Sequence, residues 1–293
     1  MGTSQQNKFN IRQAENFLKI PQMTFDNAVI ETGVFCLDEI ILCLSTQTGC
    51  NMGCVFCSNT KNCSTQKIRS LSYTEIVKQA TNALTQVSVK EKATKNVLFS
   101  FMGIGEPFLN YENLTKSITL LGEQYPLSRA TVSTTGVSPS LIKSFSKETF
   151  PIQTKLHLSL HAPNDSLRKQ LLPCSAKIKP TLKAMELFAR RSETTPKLNY
   201  LLLNNINDSN EQAEELASLL ATKPFCLKLS ELNSINSLKR SSDERFKHFE
   251  EVLHSNKIET TRFLSDGRII NAGCGQLQAS LANKVPKSIM RIS

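Results

Sequence analysis

From residue 39 onward, short apolar runs alternate with amphipathic segments, and this alternation constrains the fold of the 293-residue chain more than any other feature. "EIILCLS" (39–45), "NVLFSFMG" (96–103), "ATVSTTG" (130–136), "KLHLSLHA" (155–162), "KLNYLLL" (197–203), "FCLKLSEL" (225–232) and "IETTRFL" (258–264) read as strands. Helical patterns lie between them. In "SYTEIVKQATNALTQV", Ser72 and Glu75 have the spacing of a capping box, and Ile76, Val77, Ala80, Ala83, Leu84 and Val87 line one face. Further helices are expected near 112–124 and 138–147, in "NDSLRKQLL" with "TLKAMELFARR", in "DSNEQAEELASLLA" with an Asp208/Glu211 start, and in "SDERFKHFEEVLHS". Strict strand-then-helix order predicts an α/β fold with a parallel sheet and right-handed crossovers, either an open doubly wound sheet or a partial barrel. Both architectures place their chemistry at the carboxyl ends of the strands. Residues 1–38 are compositionally distinct and read as an N-terminal extension, with one catalytic domain over 39–293.

Hydrophobic residues make up 40% of the chain and charged residues 20%, which supplies a large core and excludes wholesale disorder. No run of eighteen apolar residues is present, so no membrane span is expected. The polar start "MGTSQQNKFNIRQAENF" lacks the apolar segment of a secretory signal, so a cytoplasmic location is expected. Nine cysteines in a reducing compartment point to metal binding or catalysis rather than structural disulfides. A net charge of +10 suits a polyanionic partner such as RNA, although solubility alone also accounts for a modest basic excess.

Four of the cysteines fall in "CLSTQTGCNMGCVFC": Cys43, Cys50, Cys54 and Cys57. Cys50-x3-Cys54-x2-Cys57 puts three soft thiolates on one loop after a strand, and three such ligands can hold three irons of a [4Fe–4S] cluster, leaving the fourth iron open. Gly49 and Gly53 let the loop curl. Structural zinc is the competing reading, but it normally takes four ligands as two short pairs, and only one such pair is here. Three merely packed cysteines are the remaining alternative. Other motifs fall at the same expected rim: "GIGEP" after the second strand, "STTG" after the third, "SLHAPND" after the fourth and Asn233 after the sixth.

At these residues the sequence resembles the radical S-adenosylmethionine (SAM) superfamily, whose CxxxCxxC signature carries an aromatic residue where Phe56 stands. "CLSTQTGCNMGCVFC", "MGIGEPFLN", "VSTTGV", "LSLHAPND", "NIND" and "AGCGQL" are similar, in order and separation, to the RlmN and Cfr family of radical SAM RNA adenine methyltransferases, over about residues 28–280. The resemblance implies a partial (β/α)6 radical-SAM barrel with a short N-terminal extension, a [4Fe–4S] cluster on Cys50, Cys54 and Cys57, and SAM as second cofactor. It implies an RNA substrate, rRNA and/or tRNA, methylated at an adenine carbon, with C2 expected and C8 the alternative. A radical SAM or iron–sulfur protein acting on a non-RNA substrate is the further alternative. An electron donor such as flavodoxin is implied as a partner, and no membrane. In that chemistry Cys274 of "AGCGQL" carries the methyl group as S-methylcysteine, Cys43 resolves the protein–RNA adduct through a transient disulfide with Cys274, and Glu31 of "VIETGVF" removes the ring proton. Gly105, Glu106, Ser133, Ser159, Leu160, His161 and Asn233 match the family's SAM contacts.

Read without the resemblance, Cys274 and Cys43 are small buried hydrophobes, Glu31 is a solvated charge and His161 is an interior histidine with its hydrogen bonds met. Cys36, Cys63, Cys174 and Cys226 have no partner at ligand spacing and read as packing or incidental residues. His157 alternates onto the same strand face as Ser159, but no motif assigns it a role. Two departures concern RNA rather than the radical chemistry. Only 49 residues precede Cys50, where family members usually carry an additional helical domain, and "ELNSI" stands where the family has "PWNPF". The adjacent loop carries Lys239 and Arg240, which read as a solvated face or as phosphate contacts.

Overall fold

Among the described residues ten strands pair in the order in which the chain makes them. The computed structural model describes residues 12–14, 16–59, 68–233, 238–263 and 277. β1 (Arg12–Ala14), β2 (Phe17–Met23), β3 (Val29–Cys36) and β4 (Ile40–Cys43) form an antiparallel meander. Its β2–β3 turn puts Asn27 at φ 62°, a conformation asparagine tolerates better than most residues, and Thr24 closes the turn by accepting from the Asn27 amide at 3.1 Å. From β4 the pairing becomes parallel through β5 (Val97–Phe101), β6 (Arg129–Thr134), β7 (Gln153–Ser159), β8 (Lys197–Leu202), β9 (Cys226–Glu231) and β10 (Thr260–Phe263). The alternation therefore yields the expected parallel α/β architecture of a partial barrel. The described residues before 39 lengthen its sheet through β1, β2 and β3.

Helices cover one face of the sheet. They are α1 (Tyr73–Thr85), α2 (Val89–Thr94), α3 (Tyr111–Gln124), α4 (Pro139–Phe145), α5 (Asp165–Leu171), α6 (Ile178–Ser192), α7 (Asn210–Leu220) and α8 (Asp243–Ser255). Alternate strand residues face them: Leu42, Phe99, Val132, Leu156, Leu158, Leu198 and Leu229 are fully buried in one continuous core. Each such side chain contributes roughly 1.5–3 kcal/mol relative to exposure. The residues between them turn to the other, open face, which is more polar.

The capping box of α1 forms as its sequence indicates, with the Glu75 amide donating to Ser72 Oγ at 3.2 Å and the Ser72 amide donating to Glu75 at 2.9 Å. The start of α7 differs from expectation: Ser209 and Gln212 make the capping box, one residue beyond Asp208 and Glu211. Asp208 instead accepts from the Asn205 amide at 3.0 Å and from Ser241 Oγ at 2.6 Å, so tertiary partners decide between two sequence-compatible caps. α2 has no apolar periodicity because it buries no side chain, and its start is marked only by Ser88, which accepts from the Glu91 amide at 3.2 Å. No described helix is long and apolar enough to cross a membrane.

Candidate functional site

The cysteine loop begins where β4 ends, and the turn after β5 holds it flat. Gly103 N donates to Leu44 O at 2.9 Å, Thr46 N to Ile104 O at 2.8 Å and Glu106 N to Gln47 Oε1 at 2.9 Å. Gln79, reaching from α1, holds both backbone groups of Ser45 at 2.9 Å. The two chains lie so close that a Cβ on Gly103 would sit 2.7 Å from the Leu44 carbonyl. Gly105, at φ 107°, would place a Cβ 2.8 Å from the Gln47 side chain. Glycine is needed at both positions, the second also for its backbone angle.

Cys50, Cys54 and Cys57 share one apolar cluster with Met52, Leu171, Leu172, Leu203 and Leu232. Burial pushes the Cys54 thiol up, and Cys57, Cys50 and Glu106 push it further. Cys54 is thus flanked by the other two thiols of the motif in a dry setting, the donor chemistry of an iron–sulfur cluster. Among the described residues no group of three or more His, Cys, Asp or Glu side chains is gathered for a single metal ion. Gly53, at φ 73°, turns the loop, and Asn59 Nδ2 donates to Cys57 Sγ at 3.8 Å. The Phe56 ring meets the His161 ring edge-on at 4.8 Å between centroids.

Glu106 is buried beside this loop. Thr134 Oγ1 (2.6 Å), Thr135 N (2.8 Å), Thr135 Oγ1 (2.9 Å) and Phe108 N (3.2 Å) all donate to its carboxylate. Burial pushes its carboxyl above the usual range, and these donors pull the other way. His161, at φ 55°, accepts at Nδ1 from Leu201 N at 2.9 Å, and its carbonyl accepts from Asn207 Nδ2 at 2.9 Å. Burial and the nearby Arg168 lower its pKa to about 3, so the imidazole is neutral at physiological pH. Arg168 is fully buried and donates to the carbonyls of Thr135 (2.6 Å), Ser159 (2.8 Å) and Leu160, tying the ends of β6 and β7 together.

The other nominated cofactor contacts also lie at strand ends. Ser133 is near the end of β6, and its buried Oγ has no hydrogen-bond partner. Ser159 ends β7. Leu160 follows with a fully buried side chain, so only its backbone can face a ligand, and its amide donates to Asn199 O at 3.0 Å. Asn233, two residues past β9, is buried.

Cys43 lies apart from the three-cysteine cluster, packed against the main core and paired with Gly33 on β3 and Ser100 on β5. Glu31 is two residues from Gly33 on the same face, buried, with its Oε2 2.7 Å from Lys19 Nζ. Cys274 and Cys63 lie outside the described residues. Leu277, three residues beyond Cys274, is buried in the main core. Arg240 is held by Glu231 at 2.8 Å and Asp243 at 3.0 Å. Cys36 and Cys226 are half-buried and Cys174 exposed. Lys19 and Arg168 carry no motif of their own, and Thr134 and Thr135 lie inside "VSTTGV" without being nominated; each acts across a distance in sequence that spacing does not reveal.

The Radical SAM superfamily model matches residues 44–220. The probable dual-specificity RNA methyltransferase RlmN of Thermotoga maritima is 35% identical over 259 residues, 86% of this chain and 72% of that protein. Its namesake in Caldicellulosiruptor saccharolyticus is 36% identical over 81% of this chain and 68% of that protein.

The chain belongs to the RlmN family of radical SAM RNA methyltransferases.

A solved radical SAM methyltransferase from Sphaerobacter thermophilus superposes with a TM-score of 0.84 at 33% identity, covering 93% of this chain and 81% of that one. The partial barrel is therefore the radical-SAM barrel, and an RlmN-family enzyme uses a [4Fe–4S] cluster and SAM. The three cysteines in their apolar pocket fit the former, and the strand-end polar groups around Glu106 fit the latter.

Proposed function

We propose that this RlmN-family enzyme methylates an adenine at C2 in rRNA and/or tRNA in the cytoplasm, by way of an S-methylcysteine. Adenine C2 is an electron-poor amidine carbon, so direct transfer of an electrophilic methyl group to it is unfavourable and a radical route is required. When bound, the cluster and SAM, reduced by a donor such as flavodoxin, supply a 5′-deoxyadenosyl radical. Cys50, Cys54 and Cys57 hold three irons. Gly105 and Glu106 receive the methionyl ammonium, a fit for a buried carboxylate, with Ser133, Ser159, Leu160, His161 and Asn233 around the rest of the molecule. Cys274 carries the methyl group, loses one hydrogen atom from it, and bonds through that carbon to the base. Glu31 would take the ring proton, and the unpaired electron of the adduct would pass to the bound cluster. The Cys43 thiolate would then displace the Cys274 sulfur, leaving a Cys43–Cys274 disulfide, and the released methylene carbon would take up a proton to become the methyl group.

The observation that supports this most is the shared face of Glu31 and Cys43. A glutamate that reads as a solvated charge is buried beside a lysine, one alternation from the residue paired with Cys43. Residues 39–293 then form the catalytic domain, and the 1–38 extension contributes the base from β3.

The test is a nucleoside assay by mass spectrometry, with reconstituted protein, SAM, reductant and RNA from cells lacking the enzyme. The reading predicts 2-methyladenosine, abolished in Cys274→Ala and reduced at least about a hundredfold in Glu31→Gln, the usual scale of general-base loss. Formation of 8-methyladenosine alone would move the site to C8, and no methyladenosine would overturn the reading.

A further inference from the structure

Asn199 has its backbone pinned by the segment that follows β7 and its side chain turned to the open face of the sheet. Its carbonyl accepts from the amides of Leu160 at 3.0 Å and His161 at 3.3 Å. Its chain neighbours Leu198 and Tyr200 are fully buried toward the helices, so the Asn199 amide points the other way. There the residue is 9% exposed, and its Oδ1 has no hydrogen-bond partner. Ser159, a proposed SAM contact, pairs with it across β7 and β8. One alternation before Ser159, His157 repeats the pattern, with a buried Nδ1 that has no partner. His157 pairs in turn with Ser133 on β6, whose buried Oγ is also without one. Buried polar atoms in this state are rare, because each costs its desolvation with nothing in return. Three of them on adjacent strands, on one face and among the proposed cofactor contacts, mark a ligand site.

The chemistry of these atoms restricts the ligand. Asn199 Oδ1 only accepts, so a phosphate or carboxylate cannot satisfy it, and the ligand must bring an N–H or O–H. The other end of the amide is a donor. A neutral edge with a donor beside an acceptor therefore fits, whichever way round the amide stands. The Lys228 ammonium, from the paired position on β9, lies over the Phe263 ring at 3.5 Å and does not serve Oδ1. Burial is the main cause that lowers the His157 pKa to about 3, so its imidazole also meets the ligand uncharged. Adenine presents such an edge, its 6-amino group beside a ring nitrogen, and asparagine pairs with it through two hydrogen bonds. SAM carries an adenine, and so does the proposed RNA substrate.

We propose that the Asn199 side chain reads an adenine, accepting from its 6-amino group at Oδ1 and donating to its ring nitrogen from Nδ2, with His157 hydrogen-bonding the same nucleoside. Such a contact selects adenine over bases that lack the 6-amino donor. The base is that of SAM or that of the RNA. The RNA source rests on the proposed adenine methylation, and the SAM source does not.

The experiment measures binding of two matched pairs of probes to the holoenzyme, for the native protein, Asn199→Ala, Asn199→Leu and His157→Ala. One pair is S-adenosylhomocysteine and its analogue with hydrogen in place of the 6-amino group. The other is a short oligoadenylate and the same oligomer built from purine riboside, which lacks that group. Iron content is measured alongside. In the pair that contains the bound base, the native protein is expected to favour the amino form by about tenfold. Both Asn199 variants lose that preference with native iron, and His157→Ala weakens the same pair. A preference lost in the homocysteine pair assigns the base to SAM, and one lost in the oligomer pair assigns it to the RNA. Native preferences kept in both Asn199 variants, or no preference in the native protein for either pair, would overturn the inference. Loss of iron in both Asn199 variants would assign the residue to the fold and overturn it as well. A native protein that binds no oligoadenylate, while the homocysteine pair behaves as expected, would count against the RNA reading and leave the adenine contact standing.

Discussion

Lys19 Nζ lies 2.7 Å from Glu31 Oε2, and both side chains are only 4–5% exposed, on adjacent antiparallel strands. A buried ion pair is a poor source of net stability, but breaking one is costly, because the charge left behind has already lost its water. Lys19→Met is therefore expected to lower unfolding stability by about 3–5 kcal/mol. The double variant Lys19→Met/Glu31→Leu should recover most of that loss. Urea denaturation of the four proteins of this cycle checks it, and additive losses in the double variant would show that the two side chains are not coupled.

Arg168 fixes the rim at which the cofactor residues stand. Its guanidinium donates to the carbonyls of Thr135, Ser159 and Leu160, and Thr135 in turn donates to Glu106. Arg168→Met fills the space but leaves four carbonyls without this donor, that of Ala176 at 3.4 Å included, at roughly 1–3 kcal/mol each when buried. The expected result is a loss of at least about 3 kcal/mol in stability together with weakened SAM binding. A variant of native stability and native SAM affinity would contradict the role given to Arg168.

Much of the parallel sheet is legible in the sequence because every strand from β4 to β9 has helix-facing apolar residues and is followed by a turn or helix signal. The N-terminal strands are not legible. β2 carries Lys19, Pro21 and Gln22 at buried positions, so the period-two pattern is absent. Lys19 is tolerable there only because Glu31 meets it from the neighbouring strand. Among the described residues β1 pairs with β2 as far as Lys19, so Pro21 gives up no described ladder bond on that side. The site shows the same division. Its motif residues stand out locally, whereas Lys19 and Arg168 matter through contacts that fold topology makes. The separation of Cys43 from Cys50, Cys54 and Cys57 follows from family resemblance, since spacing alone leaves a four-ligand reading open.

His157 sets a pH dependence with a definite sign. Its folded pKa is lowered to about 3, mainly by burial, against about 6.5 in an unfolded chain. Between these values the unfolded state binds a proton that the folded state does not, so stability is full above about pH 6.5 and falls as pH drops toward 3. Relative to His157→Asn, the native protein should lose about 1.4 kcal/mol per pH unit within that window. Denaturation curves at pH 7.5, 6 and 5 measure the difference, and a constant gap between the two proteins would exclude a neutral, shielded imidazole.

The division of the four cysteines into three cluster ligands and one resolving thiol is the centre of the account, and Cys43→Ala addresses it most directly. The variant is purified from RNA-containing cells, and its iron content and covalently attached nucleic acid are measured together. The account predicts native iron, about four per chain as in a [4Fe–4S] cluster, and an RNA adduct that survives denaturation because nothing displaces the Cys274 sulfur. Loss of the cluster, or a native cluster with no attached RNA from a chain whose parent enzyme is active, would contradict it.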